Sequence, residues 1–349
     1  MLRQTILGYI SAGWPREDIV IVDNSGTLDA NNEGRLSSDN PFRIPYELYR
    51  NRYGVAILQT PTLYNFAQLQ NLFLRIGIAH GWSYFFWSHM DVGILGDEDV
   101  VPYRSFYSRV LDILDGSLEP DRESNSTWSL ESMRPATGAW AIKFFEFDNL
   151  ALVNVEAWRT IGQWDTFVPY YSTDCDAYAR LLLHGFTKDN VHAGHIFDVA
   201  NTIDDPETKF FPAAKSDLDT TPAASRLHDN GTGADTGKPD ATAAEANATL
   251  APLDLDQLPD SPRYRNLLRE LRTLQDVKYS TERNSWQDRQ KGGRGEAWTY
   301  DPRGFQAAWW DTAQCGRELY TRKWGTLDCK LLGVTLDDMW KGDIVFDVM

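Results

Sequence analysis

The sequence is poor in several features that would mark particular classes of protein. It has only three cysteines, Cys175, Cys315 and Cys329, among 349 residues, and their number and spacing fit neither a zinc site nor a disulfide framework. A Cys315–Cys329 pair is an option that the sequence does not decide. No apolar run reaches 18 residues, and the first 18 residues lack the apolar stretch of a signal peptide, so we expect the chain as written to be soluble, without a membrane span.

Motifs of other phosphate-handling enzymes and of hydrolases are also missing. The sequence contains no glycine-rich P-loop, no Gly-x-Ser-x-Gly and no His-Glu-x-x-His. The backbone cradle, nucleophile elbow and zinc site that these motifs supply are therefore not expected. Nucleotidyltransferase or hydrolase chemistry is accordingly disfavoured.

Positive charge is scarce. The 34 Lys and Arg residues stand against 50 Asp and Glu, a formal net charge of −16, and no basic stripe is present that would attract a phosphate backbone. We therefore expect no nucleic-acid partner. Half of the excess lies in residues 204–262, which hold 12 acidic and 4 basic side chains. This segment has few large apolar residues, so we predict an acidic, disordered insertion between a core at 1–203 and a helical, aromatic part at 263–349.

The rest of the chain is rich in core-forming residues and alternates between strand and helix patterns. Hydrophobic residues make up 42% and aromatic residues 13%, which suits a folded core. Apolar runs at 19–26, 54–60 and 82–95 predict strands, and a helical apolar face follows the second of them. This order predicts an α/β fold with a mixed, mainly parallel central sheet flanked by helices. Ligands of such sheets bind beyond the carboxyl ends of the strands, where Asp23-Asn24 and His89-Met90-Asp91 stand.

The order of several motifs resembles that of inverting glycosyltransferases of the glycosyltransferase-A fold, in particular family-2-like members. The resemblance rests on the segments VDNSG, NFAQLQN, the strand before His89, ALVNVEAWRTIGQWDT, STDCDAYARLLLHGF and RELYTRKWG. They span roughly residues 4–200 and 305–335. The resemblance implies a Rossmann-like nucleotide-sugar fold, a nucleotide diphosphate sugar as donor and a glycan or glycoprotein as acceptor.

The resemblance implies a divalent cation, usually Mn²⁺, that neutralises the diphosphate of the donor. Asp91 matches the second acid of the family's Asp-x-Asp, while His89 replaces the first; imidazole can still ligate Mn²⁺ or bond ribose or phosphate. His195 is the expected third ligand, with His192 as its rival. Alternatively, Asp91 is an ordinary turn or capping residue, and the histidines are structural.

The resemblance also implies a general base and a nucleotide site. Asp174 lies at the start of a predicted helix, where the family's acidic motif places the carboxylate that takes the acceptor's proton; Asp176 is the fallback, and helix capping is the alternative role. Asp23, with Asn24 beside it, is expected to bind the base or ribose, although Asp-Asn-Ser-Gly is also a common turn sequence.

Several aromatic side chains could bind sugar. Trp87, Trp140 and Trp164 are candidates for stacking on a sugar ring, although most of the 13 tryptophans are expected in the core. The segment 323–325, Lys-Trp-Gly, matches a late family motif and is expected to be a packing element.

Two further features bear on the cellular location and on the narrower resemblance within the family. Sequons at Asn125, Asn230 and Asn247 hint at a secretory lumen such as the Golgi. The family's usual first strand is not recognisable, so an upstream segment carrying a type II membrane anchor is one hypothesis. The acidic insertion and late aromatics are similar to those of filamentous-fungal cell-wall enzymes, among them transferases that use UDP-galactofuranose. The competing hypothesis is a non-catalytic glycan-binding protein, or pseudo-glycosyltransferase, on the same fold.

Overall fold

A computed structural model describes residues 1–116, 139–211, 261–280, 292–296, 301–331 and 333–341. The three sequons and most of the acidic segment lie outside these residues. No helix in the described ranges is long and apolar enough to cross a membrane. The helices are α1 Leu2–Ser11, α2 Phe66–Ala79, α3 Phe106–Asp115, α4 Val155–Thr160, α5 Thr173–Leu183, α6 Pro206–Phe210, α7 Pro262–Ser280 and α8 Pro302–Trp324, and the strands are β1 Val20–Asp23, β2 Ala56–Gln59, β3 Tyr84–Ser88, β4 Val92–Leu95, β5 Trp140–Glu146, β6 Leu150–Asn154, β7 Thr187–Asn190 and β8 His195–Asp198.

The α/β class is confirmed, but the described strands do not form one mainly parallel sheet. They form a parallel pair β1–β2, a four-stranded sheet in the order β3-β6-β5-β7, and an antiparallel pair β4–β8. Three of the five pairings among these strands are antiparallel. One reason is local: β5 and β6 are joined by a tight turn closed by the Asn149 amide on the Glu146 carbonyl, 3.1 Å, and such a turn joins only antiparallel strands.

The chain forms two compact units, each assembled from three stretches of sequence. The first comprises Met1–Trp14, Met90–Asp115 and Ala193–Val277, and the second Pro15–His89, Gly116–His192 and Lys278–Met349. The predicted strand at 82–95 is accordingly two strands, because β3 pairs with β6 in the second unit and β4 with β8 in the first.

The start of the acidic segment, residues 204–211, is described and contains α6, whose Glu207 pairs with Arg3 of α1.

The core of the second unit is built largely from aromatic rings. Trp158 is buried and stacks on Trp164 with centroids 4.7 Å apart. Phe66 meets Trp164 and Trp87 edge-on, at 5.2 and 5.8 Å. Trp87 and Trp164 are therefore core residues rather than sugar-stacking surfaces. Trp140 is half-buried under the Lys143 ammonium, which lies 5.3 Å from its ring.

Helix α2 shows how the local sequence sets a boundary and how packing sets a face. Asn65 and Gln68 form a reciprocal capping box that starts the helix. The deepest positions are Ala67, Gln70, Leu74 and Gly77, whereas the large apolar residues predicted as the inner face are only partly buried. At Gly77 a larger residue would be crowded, because a Cβ there would lie 3.3 Å from the Val155 side chain.

In the first unit, α1 and α7 both pack on β4. A Cβ built on Gly8 of α1 would lie 3.3 Å from the backbone nitrogen of Ile94, and one built on Gly93 would lie 2.6 Å from the Leu271 side chain. The glycines thus allow both helices to approach the strand closely. The side chains of Ile94 and Leu271 are fully buried there.

Candidate functional site

Asp23 ends β1 and is buried, with 1% of its surface exposed. Its Oδ1 accepts the Ser25 amide at 2.9 Å, and its Oδ2 accepts the Asn31 amide group at 3.0 Å and the Tyr46 hydroxyl at 2.7 Å. Burial, followed by the hydrogen bond to Asp23, raises the pKa of Tyr46. Both oxygens of the Asp23 carboxylate are thus engaged inside the protein, where they hold the loop after β1. The contact of Asp23 with a nucleotide base or ribose stays a prediction.

Asn24 joins the loops that follow β1 and β2. Its Nδ2 donates to the Tyr64 carbonyl and its Oδ1 accepts the Tyr64 amide, each at 2.8 Å, and Thr60 donates to the same Oδ1 at 3.1 Å. Because β1 and β2 are parallel, both loops lie at the carboxyl ends of strands, the usual ligand position in α/β folds. Asn24 and Ser25 are half-buried there.

The trio His89-Met90-Asp91 connects β3 to β4, so it does follow a strand as predicted. The His89 amide donates to the Asn149 carbonyl at 3.1 Å, and the His89 ring lies 5.6 Å from that of Trp87. Asp91 is half-buried just before β4, where its carbonyl accepts the Val199 amide at 2.8 Å.

The strand register does not bring Asp91 and His195 together. His195 pairs with Leu95, at the far end of the β4–β8 ladder from Asp91, which is about 13 Å of strand at 3.3 Å per residue. His192 is exposed ahead of β8. Among the described residues, no group of three or more His, Cys, Asp or Glu side chains could hold a metal ion. Two of the three residues expected to ligate Mn²⁺ are thus not brought together by the β4–β8 ladder.

The imidazole of His195 faces an acid that sequence reasoning missed. Its Nε2 lies 3.4 Å from Asp97 Oδ1, while Arg109 donates to Asp97 Oδ2 at 2.5 Å. Asp97 is 4% exposed. The signal was present in the sequence, since Gly-Asp-Glu-Asp at 96–99 directly follows the apolar run that forms β4.

Asp176 is fully buried, and cationic and indole donors bond both of its carboxylate oxygens. Its Oδ2 accepts Arg180 Nε at 3.0 Å, and its Oδ1 accepts Lys323 Nζ at 2.8 Å and Trp324 Nε1 at 2.9 Å. A carboxylate with 0% exposure cannot reach an acceptor hydroxyl, so the fallback assignment of Asp176 as a general base is wrong. The same bonds confirm the packing role of segment 323–325.

Asp174, two residues earlier, is half-buried in the first turn of α5. The residue before this helix, Ser172, has the left-handed backbone angle φ 69°, which is uncommon for a residue with a side chain. Lys188 is a charged neighbour: burial lowers the pKa of Lys188 to about 8, while the negative charge of Asp174 raises it. The Lys188 ammonium lies 4.5 Å from the centre of the Tyr178 ring.

The cysteine next to Asp174 is covalently fixed. Cys175 forms a disulfide with Cys329, with Cα atoms 4.9 Å apart, and Cys315 is an exposed free thiol. The Cys315–Cys329 pairing considered from sequence is therefore wrong. The bond was not visible from sequence because its two cysteines are 154 residues apart. Asp174 is thus followed by a disulfide at 175 and an ion-pair network at 176.

Comparisons with protein-family models, with curated proteins and with solved structures gave no match.

Proposed function

We propose that the protein is an inverting glycosyltransferase that moves a sugar from a nucleotide diphosphate sugar to a hydroxyl of a glycan or glycoprotein, with Asp174 as general base. One observation carries the proposal. Asp174 is a half-buried carboxylate in a helix turn that is anchored directly behind it by Cys175 and Asp176. A base held by its neighbours keeps its geometry during proton transfer, which is what such catalysis needs.

The reaction would be a single displacement. Asp174 takes the proton of the acceptor hydroxyl while that oxygen forms a bond to the anomeric carbon of the donor. The bond from the anomeric carbon to the diphosphate breaks, and its electron pair leaves with the nucleoside diphosphate. One carboxylate is enough for this proton balance.

For the donor we propose the loops after β1 and β2 as the nucleotide site. Asn24 and Ser25 are half-buried there, and Asn24 ties the two loops together. A UDP-linked donor, UDP-galactofuranose among the options, comes from the resemblance alone. The proposed reaction rests on Asp174 and not on Mn²⁺, because Asp91 and His195, two of the expected metal ligands, lie at opposite ends of the β4–β8 ladder.

We also propose a secretory-pathway lumen, such as the Golgi, as the location. The Cys175–Cys329 disulfide supports it, because such bonds persist in oxidising compartments. The second candidate function, a non-catalytic glycan-binding protein, is favoured by two observations: the Asp23 carboxylate is buried, and the expected metal ligands are separated.

The test begins with calorimetric titration of UDP, GDP and their sugars, with Mn²⁺ and then with EDTA. Transfer to glycan acceptors is then measured for wild type, Asp174→Asn and the control Glu156→Gln, whose side chain is exposed. We expect Asp174→Asn to bind the donor normally and to lose transfer by about 10²–10⁴-fold, the usual contribution of a general base. Absence of donor binding in wild type would overturn the proposal, and donor binding without transfer would favour the second candidate.

A further inference from the structure

Four partly exposed aromatic rings lie together around the loop that precedes α5, the helix that carries Asp174. Tyr170 and Tyr171 belong to the loop before α5, and Trp309 and Trp310 belong to the amino-terminal half of α8. Trp309 contacts Tyr170 and Tyr171 with centroids 5.5 and 5.1 Å apart, and Trp310 lies 5.8 Å from Tyr171 and 4.8 Å from Trp309. We call these four residues the aromatic platform.

The platform is accessible and has polar groups around it. Trp310 is 41% exposed, and the other three rings are half-buried. The guanidinium of Arg317 lies 4.7 Å over the Tyr171 ring. A patch that combines rings with hydroxyl, indole and guanidinium donors suits a ligand with both an apolar face and hydroxyl groups.

The platform is held in place by close packing. Gly316 of α8 sits against the loop, so that a Cβ there would lie 3.0 Å from the Pro169 side chain. On the other side, Ser172 turns the chain through its left-handed conformation into the helix that carries Asp174. Backbone in such sparsely populated conformations is found preferentially at functional sites. The loop that carries Tyr170 and Tyr171 is therefore fixed on both sides, by α8 and by the start of α5.

We propose that the aromatic platform binds a sugar ring of the acceptor glycan, three residues from the proposed base. The C–H face of a pyranose or furanose would stack on Trp310, the most exposed of the four rings, and its hydroxyls would bond Arg317. A sugar is favoured over an apolar protein surface because such a surface would cover the Arg317 guanidinium without offering it a hydrogen-bond acceptor. That the bound sugar belongs to an acceptor rests on the proposed function, as does the role of Asp174; the binding of sugar itself does not.

The test is saturation-transfer NMR with methyl glycosides of mannose, galactose and glucose and their oligosaccharides, at up to about 50 mM, where millimolar affinities saturate. We expect transfer to the ring protons of at least one sugar, and about tenfold weaker binding in Trp310→Ala. Trp82→Ala is the matched control, because Trp82 is 44% exposed, stacks on His80 and is not one of the platform residues.

Each outcome separates the two proposals. Sugar binding that survives Asp174→Asn but not Trp310→Ala supports the platform, whether or not wild type transfers sugar. Binding of no sugar by wild type, or equal loss in Trp82→Ala, would overturn it. A concentration-dependent dimer in sedimentation that Trp310→Ala abolishes, without any sugar binding, would instead make this face an interface between copies.

Discussion

The indole Nε1 of Trp324 donates to Asp176 Oδ1 across 2.9 Å and joins two residues that are 148 positions apart in the chain. Lys323 reaches the same carboxylate oxygen and also bonds Asp165 at 2.8 Å. The end of α8 is thereby tied to the first turn of α5. The proposed base at Asp174 stands in that turn, so its position depends on a buried ion pair.

Asp176→Asn should destabilise the protein strongly. The change leaves Lys323 and Arg180 buried without their full counter-charge, a loss of about 3–5 kcal/mol for a broken buried pair. Urea unfolding measures it, with Asp174→Asn as the matched control, for which we expect a change within about 0.5 kcal/mol. Equal effects of the two variants would contradict the structural role of Asp176.

Cys329→Ser should lower the free energy of unfolding by about 2–5 kcal/mol, because the disulfide to Cys175 restricts the unfolded chain. Cys315→Ser is the control and should have little effect, since its thiol is exposed and free. Denaturant unfolding with and without a reductant checks the assignment. Reductant should lower the free energy of unfolding of the wild type to that of Cys329→Ser. If reductant also lowered the free energy of unfolding of Cys329→Ser, another pairing would exist.

The pKa of Lys188 should make stability depend on alkaline pH. Burial lowers this pKa from 10.5 to about 8, so between these values the unfolded chain holds a proton that the folded protein has lost, and stability rises with pH. Lys188→Met should lack this rise. The difference in unfolding free energy between the two proteins is measured from about pH 7.5 to 9.5, and a constant difference would contradict the lowered pKa.

Asp174 should influence that titration directly. Its negative charge raises the pKa of Lys188, so Asp174→Asn should move the midpoint of Lys188 below about 8. NMR titration of the lysine side-chain resonances gives the midpoint. An unchanged midpoint would mean that the two groups do not interact.

Tyr46→Phe should lower the free energy of unfolding, because it removes a hydrogen bond that holds the loop after β1. The hydroxyl donates to the buried Asp23 carboxylate at 2.7 Å, and loss of a hydrogen bond to a charged group costs about 1.5–3 kcal/mol. Thermal or urea unfolding measures it against Tyr84→Phe, whose ring is 43% exposed. A loss no larger than the control's would show that Asp23 does not depend on this donor.

Much of the secondary structure followed from local sequence. The apolar runs at 19–26 and 54–60 became β1 and β2, and the helix predicted to start at Asp174 became α5. These predictions succeed because apolar periodicity and capping act over a few residues. The run at 82–95 misled, because its two halves look alike but pair with strands far apart in the chain.

The site was predicted less completely. The sequence marked both Asp174 and Asp176 as acids at a helix start, and only burial separates the half-buried residue from the one that is 0% exposed. It suggested Trp87 and Trp164 for sugar stacking, whereas both lie in the core. The rings of the aromatic platform come from segments about 140 residues apart, so no local pattern could group them.

By itself, the sequence determined the α/β class, the positions of most elements and the polar residues that follow the strands, because these depend on nearest neighbours along the chain. The tertiary structure decided which cysteines pair, which carboxylate is fully buried and which ligand candidates stay apart. Strand register alone separates Asp91 from His195. Such outcomes depend on contacts between distant residues, whose partners are chosen only when the core packs.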